Sequence, residues 1–209
     1  MADSLTTLKA RIANELNRTD LTSEIASAIT TAIRYYRSRR FEFNELQASF
    51  NTVASQEAYA TGDTGYPTDI GEIDTLRITV SGNRYLLEPI PFAELQTLST
   101  ATTLVGRPTR YAFYTQKLFL NPIPDGVYAV QMSYQQRKSA PANDADTSTV
   151  WTNDAEPLIR ACAKKFICRD VTSDPDGFMR NKNAEEEALD VLLRESRQLQ
   201  DKGGIAPNW

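Results

Sequence analysis

The chain of 209 residues contains no histidine, and that absence removes most familiar catalytic arrangements. Serine–histidine–aspartate and cysteine–histidine systems need an imidazole base, and histidine-containing zinc sites need an imidazole ligand. The two cysteines, Cys162 and Cys168, are too few for a four-thiolate metal site. Six positions apart on a predicted helix, they stand about 9 Å apart at 1.5 Å per residue, beyond disulfide reach. They therefore read as core residues of a protein made in a reducing cytoplasm. Asp144 and Asp146 have the spacing of two calcium ligands, but the glycine and distal glutamate of a calcium loop are missing, so the pair reads as part of a solvated connection. No glycine-rich nucleotide loop is present. A pair of carboxylates can cleave a glycosidic bond, yet none of the 27 acidic residues is marked as a desolvated acid beside an ionised partner. Neither catalysis nor a cofactor is expected.

What remains is the chemistry of contact. Arg34, Arg37, Arg39 and Arg40 crowd the end of a predicted helix, where cations complement the negative end of the helix dipole. They read either as a solvated helix end or as a contact surface for an acidic partner or a phosphate backbone. A net charge of −4 argues against a dedicated nucleic-acid binder, which needs a basic surface to displace counterions. At the other end, Gly203 and Gly204 release the chain from a last helix and Pro207 holds it extended. Ile205 and Trp209 are then left as two apolar anchors with no helix to bury them. A 41% hydrophobic, 24% charged composition is that of a globular protein, with no apolar run long enough for a membrane helix and no signal-peptide core at the N-terminus.

The elements that must carry these groups follow from periodicity. Asp3 or Ser4 can cap a helix with Leu5, Leu8, Ile12 and Leu16 on one stripe, ended by Asn17–Asp20. A second helix carries Leu21, Ile25, Ile29, Ile33 and Tyr36, and the two are expected to pack as a hairpin. From Leu46 the period changes to two. Leu46, Ala48 and Phe50 alternate with polar residues, and Leu76, Ile78 and Val80 share a strand that turns at Ser81–Asn83 into Arg84–Pro89. Pro91–Leu98 reads as a short helix. Arg107–Tyr134 reads as three antiparallel strands, turning at Gln116–Lys117 and again at Asn121–Gly126, with Tyr128, Val130, Met132 and Tyr134 on one face.

Residues 139–149 read as an exposed loop. Asn153 and Glu156 have capping-box spacing for a buried helix carrying Leu158, Cys162 and Phe166 beside Ile159, Ala163 and Ile167. Asp174–Gly177 reads as a turn before a last helix with Ala188, Leu189, Leu192, Leu193 and Leu199 on its stripe. Each helix has one apolar stripe that it cannot bury alone. The fold class is therefore α+β: a helical bundle from residues 1–45 and 151–209, ending in an extended tail, with an antiparallel β domain inserted at 46–150.

The order of a helical hairpin ending in a basic turn and Phe41-Glu42-Phe43-Asn44-Glu45, then LFLNPIPDGVYAVQMSY, then WTNDAEPLIRACAKKFICRDV and a charged last helix resembles the head-to-tail adaptor, or connector, proteins of tailed bacteriophages. The resemblance spans nearly the whole chain, and its most specific part is the strand, NPIPDG turn and strand followed by a polar loop and a capped helix. It implies a virion protein that forms a ring, generally twelve-fold, beneath the portal protein. It also implies contact with a tail nozzle or tail fibre protein and transient, non-specific contact with genomic double-stranded DNA, without a membrane. On that reading Ile205, Pro207 and Trp209 dock on the portal, and Arg34, Arg37, Arg39 and Arg40 face the channel or a subunit interface. Two other classes stay open on the residues alone. Nine tyrosines and two tryptophans suit a receptor- or carbohydrate-binding tail module, and a tail-associated peptidoglycan hydrolase is the second.

Overall fold

A computed structural model describes residues 4–101, 104–146 and 149–202. Its helices are α1 (Leu5–Leu16), α2 (Thr22–Tyr36), α3 (Phe92–Ala101), α4 (Glu156–Asp170) and α5 (Pro175–Lys202). Its strands are β1 (Glu45–Asn51), β2 (Ala58–Tyr59), β3 (Ile70–Val80), β4 (Asn83–Leu86), β5 (Glu88–Pro89), β6 (Arg110–Tyr114), β7 (Lys117–Asn121) and β8 (Ala129–Gln136). This is an α+β fold. The chain divides into two compact units, Met1–Phe43 with Lys138–Trp209, and Asn44–Arg137.

The helical unit follows its sequence signals closely at the start. The Ser4 side chain accepts a hydrogen bond from the Thr7 backbone N–H at 3.2 Å, satisfying one of the free amides of α1. Asn17, in the left-handed conformation at φ 52°, stops the helix. Leu8 and Ile12 of α1 and Ile25, Ile29 and Ile33 of α2 enter one core with Leu158, Ile159, Cys162 and Ile167 of α4 and Leu192 of α5. α4 is the hub of this unit, touching α1, α2 and α5.

Two helix starts differ from expectation. The capping box at Asn153 does not form, because residues 150–155 make a turn of their own that closes on Thr149. α4 therefore begins at Glu156 with Pro157 behind it and has no side-chain cap. Asp174–Gly177 is not a separate turn. Pro175 is already the first residue of α5, and the Gly177 N–H donates to Asp174 Oδ1 at 2.9 Å, so the four residues are the helix cap and first turn. A Cβ at Gly177 would lie 2.9 Å from Cys168 Sγ, so only glycine permits this approach of α5 to α4. The 138–150 segment is exposed at its centre but pinned to α1: the Asp144 carbonyl accepts from the Thr6 N–H at 3.1 Å, and Lys9 Nζ reaches the Asp144 carboxylate at 2.6 Å. That carboxylate is therefore occupied by an ammonium.

The β unit comprises two four-stranded sheets, ordered β1-β8-β3-β4 and β2-β7-β6-β5. The first is antiparallel throughout; in the second, β5 pairs with β6 in parallel. One core, including Phe50, Tyr59, Ile70, Leu76, Ile78, Leu118, Leu120, Val130, Met132 and Tyr134, draws on strands of both sheets. The β3–β4 turn is Ser81-Gly82 with φ of 48° and 82°, both in the left-handed region that a two-residue hairpin requires.

β6 and β7 form the expected hairpin, turning one residue early at Thr115-Gln116. β8 does not join them. It sits between β1 and β3 in the other sheet, so the reading of three mutually antiparallel strands is corrected. Between the sheets, Ile123 N–H donates to the Leu104 carbonyl at 2.9 Å and Gly106 N–H to the Ile123 carbonyl at 2.8 Å.

Candidate functional site

A buried polar cluster of the helical unit lies around the end of α2. The apolar face of that helix, Ile25, Ile29 and Ile33, ends at Tyr36, which is buried. Its hydroxyl donates to Glu185 Oε1 of α5 at 2.7 Å. Lys165 of α4 pairs with Glu185 Oε2, and the Cys162 thiol donates to the same carboxylate. One carboxylate thus joins α2, α4 and α5.

Burial by itself raises the pKa of Glu185, but the hydrogen bonds from Lys165, Tyr36 and Cys162 outweigh it and hold the carboxyl below its ordinary value. The same geometry pushes its neighbours the other way. Burial first, then the adjacent carboxylate, raises the Tyr36 hydroxyl and the Cys162 thiol, so both stay protonated donors. A thiol held protonated is a poor nucleophile. The cluster is a structural lock between helices rather than a catalytic centre.

Beyond Tyr36 the chain turns tightly, with the Arg37 N–H bonded to Ile33 O at 2.8 Å and the Arg39 N–H to Tyr36 O at 2.9 Å. Only Arg34 lies in the last helical turn; Arg37 is the C-cap, and Arg39 and Arg40 follow the helix. All four side chains are exposed. The side chains of Arg34 and Arg37 have no hydrogen-bond or ion-pair partner among the described residues. The turn is fixed from behind: Phe41 is fully buried, Phe43 stacks on it at 5.1 Å and meets Trp151 edge-on at 5.6 Å, and the Glu42 N–H donates to Ser196 Oγ at 3.1 Å. Exposed cations on a rigid, clamped turn can meet an anionic surface without first ordering their backbone.

Sequence reading found the arginines but missed their support. Glu185 lies in a run of three glutamates that nothing in their type sets apart, and it is 4% exposed. A signal was available, because Glu185, Ala188, Leu192 and Ser196 fall on one stripe at spacings of three and four. Ile205, Pro207 and Trp209 lie outside the described residues. The tyrosines offered for carbohydrate recognition are largely core: Tyr111 and Tyr134 are buried, and Tyr128 packs partly against the same cluster. Among the described residues, no group of three or more acidic or cysteine side chains is arranged to hold a metal ion, and no helix is long and apolar enough to cross a membrane.

A family model, the SU10 adaptor protein, matches residues 3–207. The chain belongs to the SU10 adaptor protein family. No curated protein matches it. The match runs through both units of the adaptor, from the first turn of α1 to the end of α5 and beyond. The protein is thus a structural phage adaptor and a component of the virion, and its partners are other head or tail proteins of the phage.

Proposed function

We propose that this adaptor stands at the head–tail junction. Copies form a ring of about twelve that joins the portal protein to the tail nozzle or tail fibre protein and lines the channel for packaged DNA. The observation that carries the reading is the family match across residues 3–207, which includes both the helical and the β unit. The exposed Arg34 and Arg37 support it further, being cations on a fixed turn that no described residue neutralises. Contact with DNA at such a surface is weak and salt-sensitive, as a conduit with sliding cargo needs, and an overall charge of −4 keeps it from becoming a trap. The tail residues Ile205, Pro207 and Trp209 supply the portal contact, with the modest energy of one anchor multiplied around the ring.

Deleting Gly204–Trp209 tests the portal contact. The expected result is an unchanged melting temperature with weakened portal binding and heads that leak DNA; normal, tail-competent heads would refute it. Replacing Arg34, Arg37, Arg39 and Arg40 by glutamine is expected to alter DNA retention while assembly proceeds. Failure of assembly would move the cluster to a subunit or portal interface.

A further inference from the structure

β4 is an edge strand of the sheet β1-β8-β3-β4, and its hydrogen-bonding phase can be read from the ladder. Leu87 N–H donates to Leu76 O at 2.9 Å, which makes 76 and 87 a hydrogen-bonded pair. Such pairs alternate along an antiparallel ladder, so in the β3–β4 register Tyr85 bonds inward to β3, and the backbone groups of Arg84 and Leu86 point outward. From Glu88 onward that outward side is occupied, since Glu88 and Ile90 N–H donate to the Thr109 and Tyr111 carbonyls at 2.9 Å. Before Glu88 no described residue bonds to it. The chain ahead of Thr109 turns off instead, with Gly106 N–H donating to Ile123 O at 2.8 Å. All four residues of β4 are exposed, Leu86 to 66%.

The side chains around this edge carry one sign of charge. Arg84 faces Thr79 across the ladder, and Arg77 lies between Leu86 and Gln131, so both arginines stand on the outer face of the sheet, diagonal to one another, with uncharged cross-strand neighbours. Tyr85 alternates to the opposite face, and the Arg107 guanidinium lies over its ring at 4.4 Å. All three arginines are exposed, and none has an ion-pair partner among the described residues. Residues 44–137 contain nine acidic and six basic side chains, so this concentration of free cations is not a consequence of composition. Edge charges alone guard a sheet against chance pairing. Leu86, exposed beside them, works against such a guard and offers a selected partner an apolar contact.

We propose that this edge takes an extended, carboxylate-bearing segment of another head or tail protein, added to β4 as a further strand. The proposal deepens the adaptor reading and rests on the partners being other proteins of the virion, not on the ring. Main-chain bonds to Arg84 and Leu86 supply the attachment, and side chains select the sequence. A residue opposite Arg84 lies on the face that holds both Arg84 and Arg77, so a carboxylate there meets two guanidiniums, while the next residue alternates to the side of Tyr85. A second copy of β4 does not suit the edge. Antiparallel self-pairing would exchange bonds between Arg84 of one copy and Leu86 of the other and bring the two Arg84 side chains to diagonal positions, where like charges repel. Duplex DNA offers negative charge but neither an extended peptide backbone for the two outward residues nor an apolar partner for Leu86.

The test replaces Leu86 by the photo-crosslinking residue p-benzoylphenylalanine in the full-length chain, assembles it into phage particles, and identifies the cross-linked product by mass spectrometry after irradiation. The expected product joins position 86 to one stretch of another virion protein that contains Asp or Glu. Adding Arg77→Glu with Arg84→Glu is expected to cut that cross-link at least tenfold without lowering the melting temperature of the free chain. Lys117→Glu, an exposed charge on the other sheet, should leave it unchanged, and exchanging the carboxylates of the cross-linked stretch for lysine should restore it in the double reversal. A cross-link to a second copy of this chain, to DNA alone or to nothing overturns the strand addition and leaves the adaptor reading intact. A cross-link that survives the double reversal overturns the acidic partner. Absence of the parent chain from the particles overturns the adaptor reading itself.

Discussion

The two units hold themselves together by different physics. In the β unit, the hydrophobic cluster runs from Phe50 and Tyr59 to Met132 and Tyr134, and the buried polar residues of that unit, Asn44, Thr52 and Gln135, are uncharged. In the helical unit a comparable apolar core surrounds a buried carboxylate, Glu185, that takes bonds from three side chains on two other helices. Apolar packing is non-directional, so a sheet core tolerates small readjustments as long as volume is kept. A buried carboxylate tolerates only the arrangement that satisfies it, because an unpaired charge in the interior costs several kcal/mol. The consequence is functional: the end of α2, from which the arginine-bearing turn leaves, is tied through Tyr36 to that carboxylate.

The largest expected effect comes from breaking that lock. Glu185→Ala leaves the Lys165 ammonium, 16% exposed, without its partner and should destabilise the protein by about 3–5 kcal/mol, read by urea unfolding of the helical signal. Replacing both partners by apolar residues, Glu185→Leu with Lys165→Met, should recover most of that loss. If the double variant is no better than the single one, the pair is not an isolated charge interaction. Because the folded carboxyl is held below its ordinary value, its contribution is fully present above the ordinary carboxylate range and is lost as pH falls through the folded pKa. Glu185→Gln should therefore flatten the acid limb of a stability–pH curve for the helical unit and leave the neutral-to-alkaline part parallel to the parent's.

The counterpart in the other region is a cavity experiment. Met132→Ala, at a fully buried position in the centre of β8, should cost about 3 kcal/mol through lost burial and the void left behind. Unlike Glu185→Ala, it should have no pH dependence. An acid-sensitive loss at Met132 would show that the two cores do not differ as described.

How far the sequence reveals this depends on whether a signal is local. Ser4 and Asn17 bracket α1, and Ser81-Gly82 turns β3 into β4, because caps and two-residue turns are decided by a few adjacent residues. The six residues NPIPDG say that the chain must leave β7, but not which sheet receives β8. What receives it is β1 and β3, both far away in sequence, with which β8 pairs. Asp174-Pro175-Asp176-Gly177 suits both a turn and a helix start, and what decides is the packing of Gly177 against Cys168. Of the site, the arginines are legible by type and crowding, whereas the burial of Glu185, one of three consecutive glutamates, depends on partners carried by other helices, Tyr36, Cys162 and Lys165.

Smaller effects sharpen the same contrast. Ser4→Ala removes one amide acceptor at the start of α1 and should cost about 1 kcal/mol, visible as a shift in the urea midpoint with unchanged slope. Arg34→Gln with Arg37→Gln touches exposed groups that have no described partner and should alter stability by less than about 0.5 kcal/mol. A larger loss would mean that the arginines serve the fold rather than a partner.

The central claim is a ring-forming adaptor, and the mass of the full-length protein measured alone and with the phage's own portal tests it most directly. The account predicts that portal addition yields a closed complex with a fixed adaptor-to-portal ratio, about twelve copies of each. A protein that stays unbound beside the portal, or binds it in open-ended and variable number, would contradict it.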